Sequence, residues 1–204
     1  MMAFGCSIMA GEEIENLPQI PKLIAEHFNE ELKNFAKVGS SNDEIIHTAF
    51  ETITPGQTII IGITDVARVY WPHHKTDQIQ SFSISNFRGK LTGLKNTLDS
   101  WYKFCYNEEV LEQYYYSKYK HLERYCHNMG NNIYFMNFCA GYKGAFYNAE
   151  GGNWCTSVPS LIRFTDSSPR YGREPKGHPN SQAHIHYTRH LLETFPALKE
   201  KRRK

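Results

Sequence analysis

Three observations predict an α/β fold with a central parallel sheet. Segments that read as strands alternate with segments of helical spacing from the first residues onward. The run Thr58–Ile63 (TIIIGI) is continuous and β-branched, the mark of a strand buried on both faces. The stretch Glu108–Met129 places Leu111, Tyr115, Tyr119, Leu122, Cys126 and Met129 along one helical stripe.

Each element follows from its own residues. Met1–Gly5 is short and apolar and reads as a first buried strand running into the turn Gly5-Cys6-Ser7. Pro18–Phe28 carries Ile20, Leu23, Ile24 and Phe28 at helical spacing. Glu31–Ala36 is a second strand. Ser41 and Glu44 form an S-x-x-E capping box, followed by Ile45, Ile46, Ala49, Phe50 and Ile53 on one helix face. Pro55-Gly56 stops that helix. Thr58–Ile63 is the third strand. The polar stretch Thr76–Asn96 shows no clear period. Glu108–Met129 is a long helix closed by Gly130, and Ile133–Phe138 a further strand. Gly141–Arg173 is rich in Gly, Ser, Asn and Pro and reads as a long loop with one weak strand. Pro179–Phe195 is a final helix, stopped by Pro196.

At 204 residues, against roughly 150 per domain, the chain reads as one domain spanning 1–198. A helical or loop insertion lies around 72–131, and 199–204 is a charged tail. Lys plus Arg number 23 and Asp plus Glu 21, a balance that gives no argument for nucleic acid or a membrane surface as partner. No stretch approaches the roughly 18 apolar residues of a membrane span. The start MMAFGCSIMAGEEIE lacks the basic beginning and long apolar run of a signal peptide. The five cysteines are scattered without a CxxC pair, so free thiols in a reducing, cytoplasmic compartment are expected. No metal is expected either. His186 and His190 stand four apart on the last helix, but no acidic residue or cysteine joins them at matching spacing.

In a parallel sheet the reacting groups gather beyond the carboxyl ends of the strands. The candidate turns are therefore Gly5–Gly11, Val38–Asp43, Gly62–Arg68 and Arg173–His178. They hold a serine, a glycine, a threonine and a histidine. Ser7 needs a base to act as a nucleophile, and only the fold can bring a distant histidine beside it. Backbone N–H groups in glycine-containing turns can hold an oxyanion; those of Ser7 and Gly39 are placed for it. Arg68 and Trp71 follow the third strand at the same end. They suit a substrate carboxylate or sugar face, or equally an arginine stacked on a surface aromatic. Tyr114, Tyr115, Tyr116 and Tyr119 suit a glycan groove, though helical spacing assigns half of them to the core.

Four stretches, in order, resemble the blocks of the SGNH (GDSL) hydrolase family, in particular its phage and bacterial FGCS-type branch. They are Phe4-Gly5-Cys6-Ser7-Ile8-Met9-Ala10-Gly11, Asn34-Phe35-Ala36-Lys37-Val38-Gly39 with its trailing Ser-Asn-Asp, Ile60-Ile61-Gly62-Ile63-Thr64, and Gly177-His178-Pro179-Asn180. The resemblance implies a flavodoxin-like three-layer sandwich and a serine ester hydrolase that needs no cofactor. Its substrate would be an acetyl or other small acyl ester, such as an acylated glycan. Carried over by position, it makes Ser7 the nucleophile and His178 the base. The oxyanion donors would be the N–H of Ser7, the N–H of Gly39 and the side chain at position 64. Two positions depart from the pattern. Thr64 stands where the third block has asparagine, with Asn42 as a substitute donor. Pro175 stands where the last block has aspartate; Glu174, one residue further from His178, either orients the imidazole or is solvated. The alternative is a non-catalytic virion component or glycan-binding protein on the same fold.

Overall fold

The computed structural model describes residues 1–11, 19–72, 79–83, 100, 103–138, 145–146, 149, 153–155, 159–172, 178–195 and 197–198. Its centre is a five-stranded, all-parallel sheet. The strands are β1 (Met2–Phe4), β2 (Lys33–Asn34), β3 (Thr58–Ile63), β6 (Asn132–Asn137) and β7 (Trp154–Cys155), ordered β2-β1-β3-β6-β7. Renumbered within the sheet this is 2-1-3-4-5, the flavodoxin-like doubly wound order.

Strand alternation sorts the core into two layers. Ala3, Ile60, Tyr134 and Met136 face one side, under the helices α1 (Ser7–Ala10), α2 (Ile20–Phe28) and α6 (Ser181–Thr194). Met2, Phe4, Ile59, Ile61, Ile63, Ile133 and Phe135 face the other, under α3 (Asn42–Thr52) and α4 (Glu108–Asn128). A strand covered on both faces has no use for polar alternation, which is why TIIIGI reads as one apolar run. At the far edge Phe135 stacks on Trp154, ring centroids 4.1 Å apart. Ile60→Ala, at a fully buried position, is expected to lower stability by about 2–5 kcal/mol in urea titration.

The helix start at Ser41 agrees with the sequence reading, and the final helix starts at Ser181, two residues after Pro179. Ser41 Oγ accepts the Glu44 N–H at 3.3 Å, and Asn180 Oδ1 accepts that of Ala183 at 2.9 Å. The Tyr115 and Tyr119 side chains are core, while Tyr114 is exposed. Two stretches differ from expectation. Inside 72–131, expected to be helical or loop, the strand β5 (Ile79–Ser83) pairs antiparallel with β4 (Arg68–Pro72), which leads into that segment. The stretch 141–173, expected to be a long loop with one weak strand, carries the short strand β7 and also a short helix, α5 (Leu161–Asp166), capped by Ser160 Oγ on the Arg163 N–H.

Two glycines fix how closely α1 sits on the sheet. A Cβ on Gly5 would lie 2.5 Å from Met9 Sδ; one on Gly62 would lie 2.1 Å from the same atom and 2.9 Å from Phe138 Cε2. The Met9 side chain thus occupies the space that these two strand ends leave open. Gly62→Ala is expected to cost about 1–3 kcal/mol through overpacking and to displace α1, visible as a lowered denaturation midpoint.

Candidate active site

In the order 2-1-3 the chain leaves β1 toward one neighbour and later returns past it to the other. The crevice at this switch lies between the carboxyl ends of β1 and β3. β1 leads through Gly5 and Cys6 into α1, whose first residue is Ser7. Met9, in the same short turn of helix, is gripped from below by the glycines. From the side, Asn34 Nδ2 donates to Met9 O at 2.9 Å while Asn34 Oδ1 accepts the Ala36 N–H at 3.1 Å. One asparagine therefore ties the serine-bearing turn to the exit of β2. Asn34 belongs to the N-x-A motif of the second block, and that spacing, which closes an Asx turn, is the sequence signal for this role.

The β2 exit continues beside the same turn. Lys37 N–H donates to Gly5 O at 3.1 Å, and Ser40 N–H donates to Lys37 O at 3.3 Å. Gly39, inside that second turn, has φ +83°, a left-handed conformation that suits glycine.

His178 arrives from the other end of the chain. Asn180 N–H donates to Gly172 O at 3.0 Å and its side chain caps α6, which pins the segment carrying His178-Pro179. The imidazole Nε2 lies 3.4 Å from Ser7 Oγ, across 171 residues of sequence. That separation is at the long end for a hydrogen bond, as is common for catalytic pairs without substrate. Ser7 is 8 % exposed.

Beyond β3, Thr64 is 0 % exposed. Its peptide is held by Asn42: Asn42 Nδ2 donates to Thr64 O at 3.0 Å, and Thr64 N–H donates to Asn42 Oδ1 at 3.1 Å. Tyr119 OH also donates to Asn42 Oδ1, at 2.8 Å. Burial pushes the Tyr119 phenol well above its ordinary pKa, so it remains a donor. Next to it, Asp43 accepts from Tyr115 OH at 2.9 Å and pairs with Lys118. Asn42→Ala would leave the Thr64 peptide and the Tyr119 hydroxyl without this partner. A loss of about 1–3 kcal/mol is expected in thermal or urea unfolding.

Arg68 opens β4 and turns back to the site, where Nη1 donates to Ser40 O at 3.3 Å. Trp71 lies on β4 opposite Gln80. Glu174 lies outside the described residues. The structure therefore brings together Ser7, His178 and the Gly39 turn, with Thr64 and Arg68 at the same sheet edge.

Other reactive groups have structural surroundings. Cys6, Cys126 and Cys155 are buried cysteines. Burial pushes the Cys126 thiol up to about 12, and Cys155 well above its usual range, which suppresses the nucleophilic thiolate. His186 Nδ1 meets Tyr171 OH at 3.0 Å, and His190 stacks on Phe164. Among the described residues, no three His, Cys, Asp or Glu groups gather as a metal site. No described helix is long and apolar enough to cross a membrane.

No family model matches the sequence, and no curated protein is similar to it. Among solved structures, the fold is similar to a member of the lipolytic protein G-D-S-L family from Veillonella parvula. The TM-score is 0.43 at 14 % identity, over 95 % of this chain and 96 % of that one.

Proposed function

We propose that this chain is a serine ester hydrolase acting on a small acyl ester, such as an acetyl group on a glycan. The observation that carries the reading is the 3.4 Å approach of His178 Nε2 to Ser7 Oγ at the switch point of a parallel sheet. Ser7 Oγ attacks the acyl carbon while His178 takes the hydroxyl proton. The carbonyl electron pair moves onto oxygen. The oxyanion is held by the N–H of Ser7, which as the first helical residue has no acceptor within α1, and by the N–H of Gly39. Collapse expels the alcohol oxygen, which takes the proton from His178 and leaves an acyl-serine. Water then attacks the acyl carbon and gives a proton to His178. The carboxylic acid departs, and Ser7 recovers its proton.

Of the two side chains expected at the oxyanion, we assign Thr64. The Asn42 carbonyl accepts from Thr64 N–H and Tyr119, and one of its amide N–H groups donates to Thr64 O, which ties this side chain to the Thr64 peptide. A buried hydroxyl suits a water-excluded oxyanion site. Thr64→Val keeps the β-branched shape and removes the donor. It should lower kcat about 10²-fold with little change in KM; unaltered turnover would leave the two backbone amides as the donors. The test of the function itself is covalent labelling of Ser7 by a fluorophosphonate, with hydrolysis of a simple acetyl ester measured in parallel.

A further inference from the structure

The Arg68 guanidinium has one edge in use and one edge idle. Nη1 donates to Ser40 O, one residue past Gly39. Nε is buried and has no hydrogen-bond partner among the described residues. No carboxylate among the described residues pairs with Arg68. Nε and Nη2 together form the side-on fork of a guanidinium, whose two parallel N–H groups match the two oxygens of a carboxylate. A buried donor left without an acceptor is unfavourable.

The position of this idle fork ties it to the nucleophile. Lys37 N–H holds Gly5 O, two residues before Ser7; the turn from Lys37 reaches Ser40; and Ser40 O holds Arg68. Each link is a hydrogen bond along the carboxyl edge of β1, β2 and β3. A ligand anion seated on the fork is therefore held against the Gly39-Ser40 turn, beside the proposed oxyanion site.

We propose that Arg68 is a specificity residue that binds a carboxylate on the substrate through its Nε and Nη2 groups, so that the preferred ester is an acidic one. This rests on the hydrolase reading for its catalytic consequence, but the anion site can be tested without it. The Ser40 contact fixes the plane of the guanidinium in advance, so little ordering remains when the carboxylate arrives.

The experiment compares two acetyl esters that differ in one charge, benzyl acetate and 4-(acetoxymethyl)benzoate. The intact protein should favour the carboxylated ester, with a preference that shrinks as salt is raised. Arg68→Gln should lower kcat/KM for the carboxylated ester about 10–100-fold more than for the neutral one, mainly through KM. Arg68→Lys keeps the charge without the fork and should recover only part of the preference. An unchanged preference in Arg68→Gln, or an equal loss on both esters, would overturn the proposal. If neither ester is hydrolysed, the hydrolase reading fails on its own. Calorimetric titration with 4-(hydroxymethyl)benzoate then decides the anion site. Binding to the intact protein that disappears in folded Arg68→Gln upholds it, and no binding to the intact protein overturns it.

Discussion

Treated with a fluorophosphonate, the folded protein is expected to gain a single adduct, which peptide mass spectrometry should place on Ser7. Ser7→Ala should take no label and should lose turnover on an acetyl ester by a factor on the order of 10⁶, the scale of nucleophile removal in serine hydrolases. The reason is geometric as much as chemical. Ser7 Oγ is the hydroxyl that His178 Nε2 approaches at 3.4 Å, and alanine removes it. Alanine suits the helical position and leaves the surrounding contacts of Met9 in place, so the melting temperature should stay close to that of the parent protein. A folded protein that takes no label and cleaves no ester would instead be a binding protein on this fold, the glycan-binding or virion role that the sequence also allows.

His178→Ala comes next in size. Losing a general base commonly costs about 10²–10⁴-fold, and the loss should fall on kcat, because the proposed mechanism has His178 take the proton that moves in the transition state. The side chain reaches Ser7 from a segment held by the backbone of Asn180 and its cap on α6. Truncating the imidazole leaves those bonds intact, and circular dichroism should not change. Imidazole added to the medium should restore part of the rate, a response that a purely structural histidine would not give. Full turnover in His178→Ala would remove this residue from the mechanism.

Several features were legible in the sequence because they are encoded within a few residues of one another. Thr58–Ile63 announces a doubly covered strand by composition alone. Ser41 and Glu44 mark a helix start, and the Tyr115, Tyr119 and Leu122 stripe marks the buried face of α4; each appears in the structure as read. The hairpin of β4 and β5 escaped because RVYWP and IQSFS are short and mixed in polarity, without the long apolar run that identifies β3. The short helix α5 escaped because its single turn lies in a stretch dominated by Ser, Gly and Pro.

Ser7, Gly39 and His178 could be named from the sequence, but not their distances. Local periodicity fixes where strands end, and in a parallel sheet the strand ends share one edge. The 3.4 Å between Ser7 and His178 depends on more: the strand order 2-1-3, two glycines that let Met9 settle onto the sheet, and the cap that orients α6. The same holds for Asn42. Sequence offers it as a substitute oxyanion donor, and in the structure its carbonyl accepts from Thr64 N–H and Tyr119 while its amide donates to Thr64 O, partners 22 and 77 residues away. Sequence determined the elements and the chemistry at their ends, because those follow from side chains within one turn or strand. Tertiary structure decided which groups meet and which edge of a guanidinium stays idle, because hydrogen-bond geometry is set by packing between distant segments.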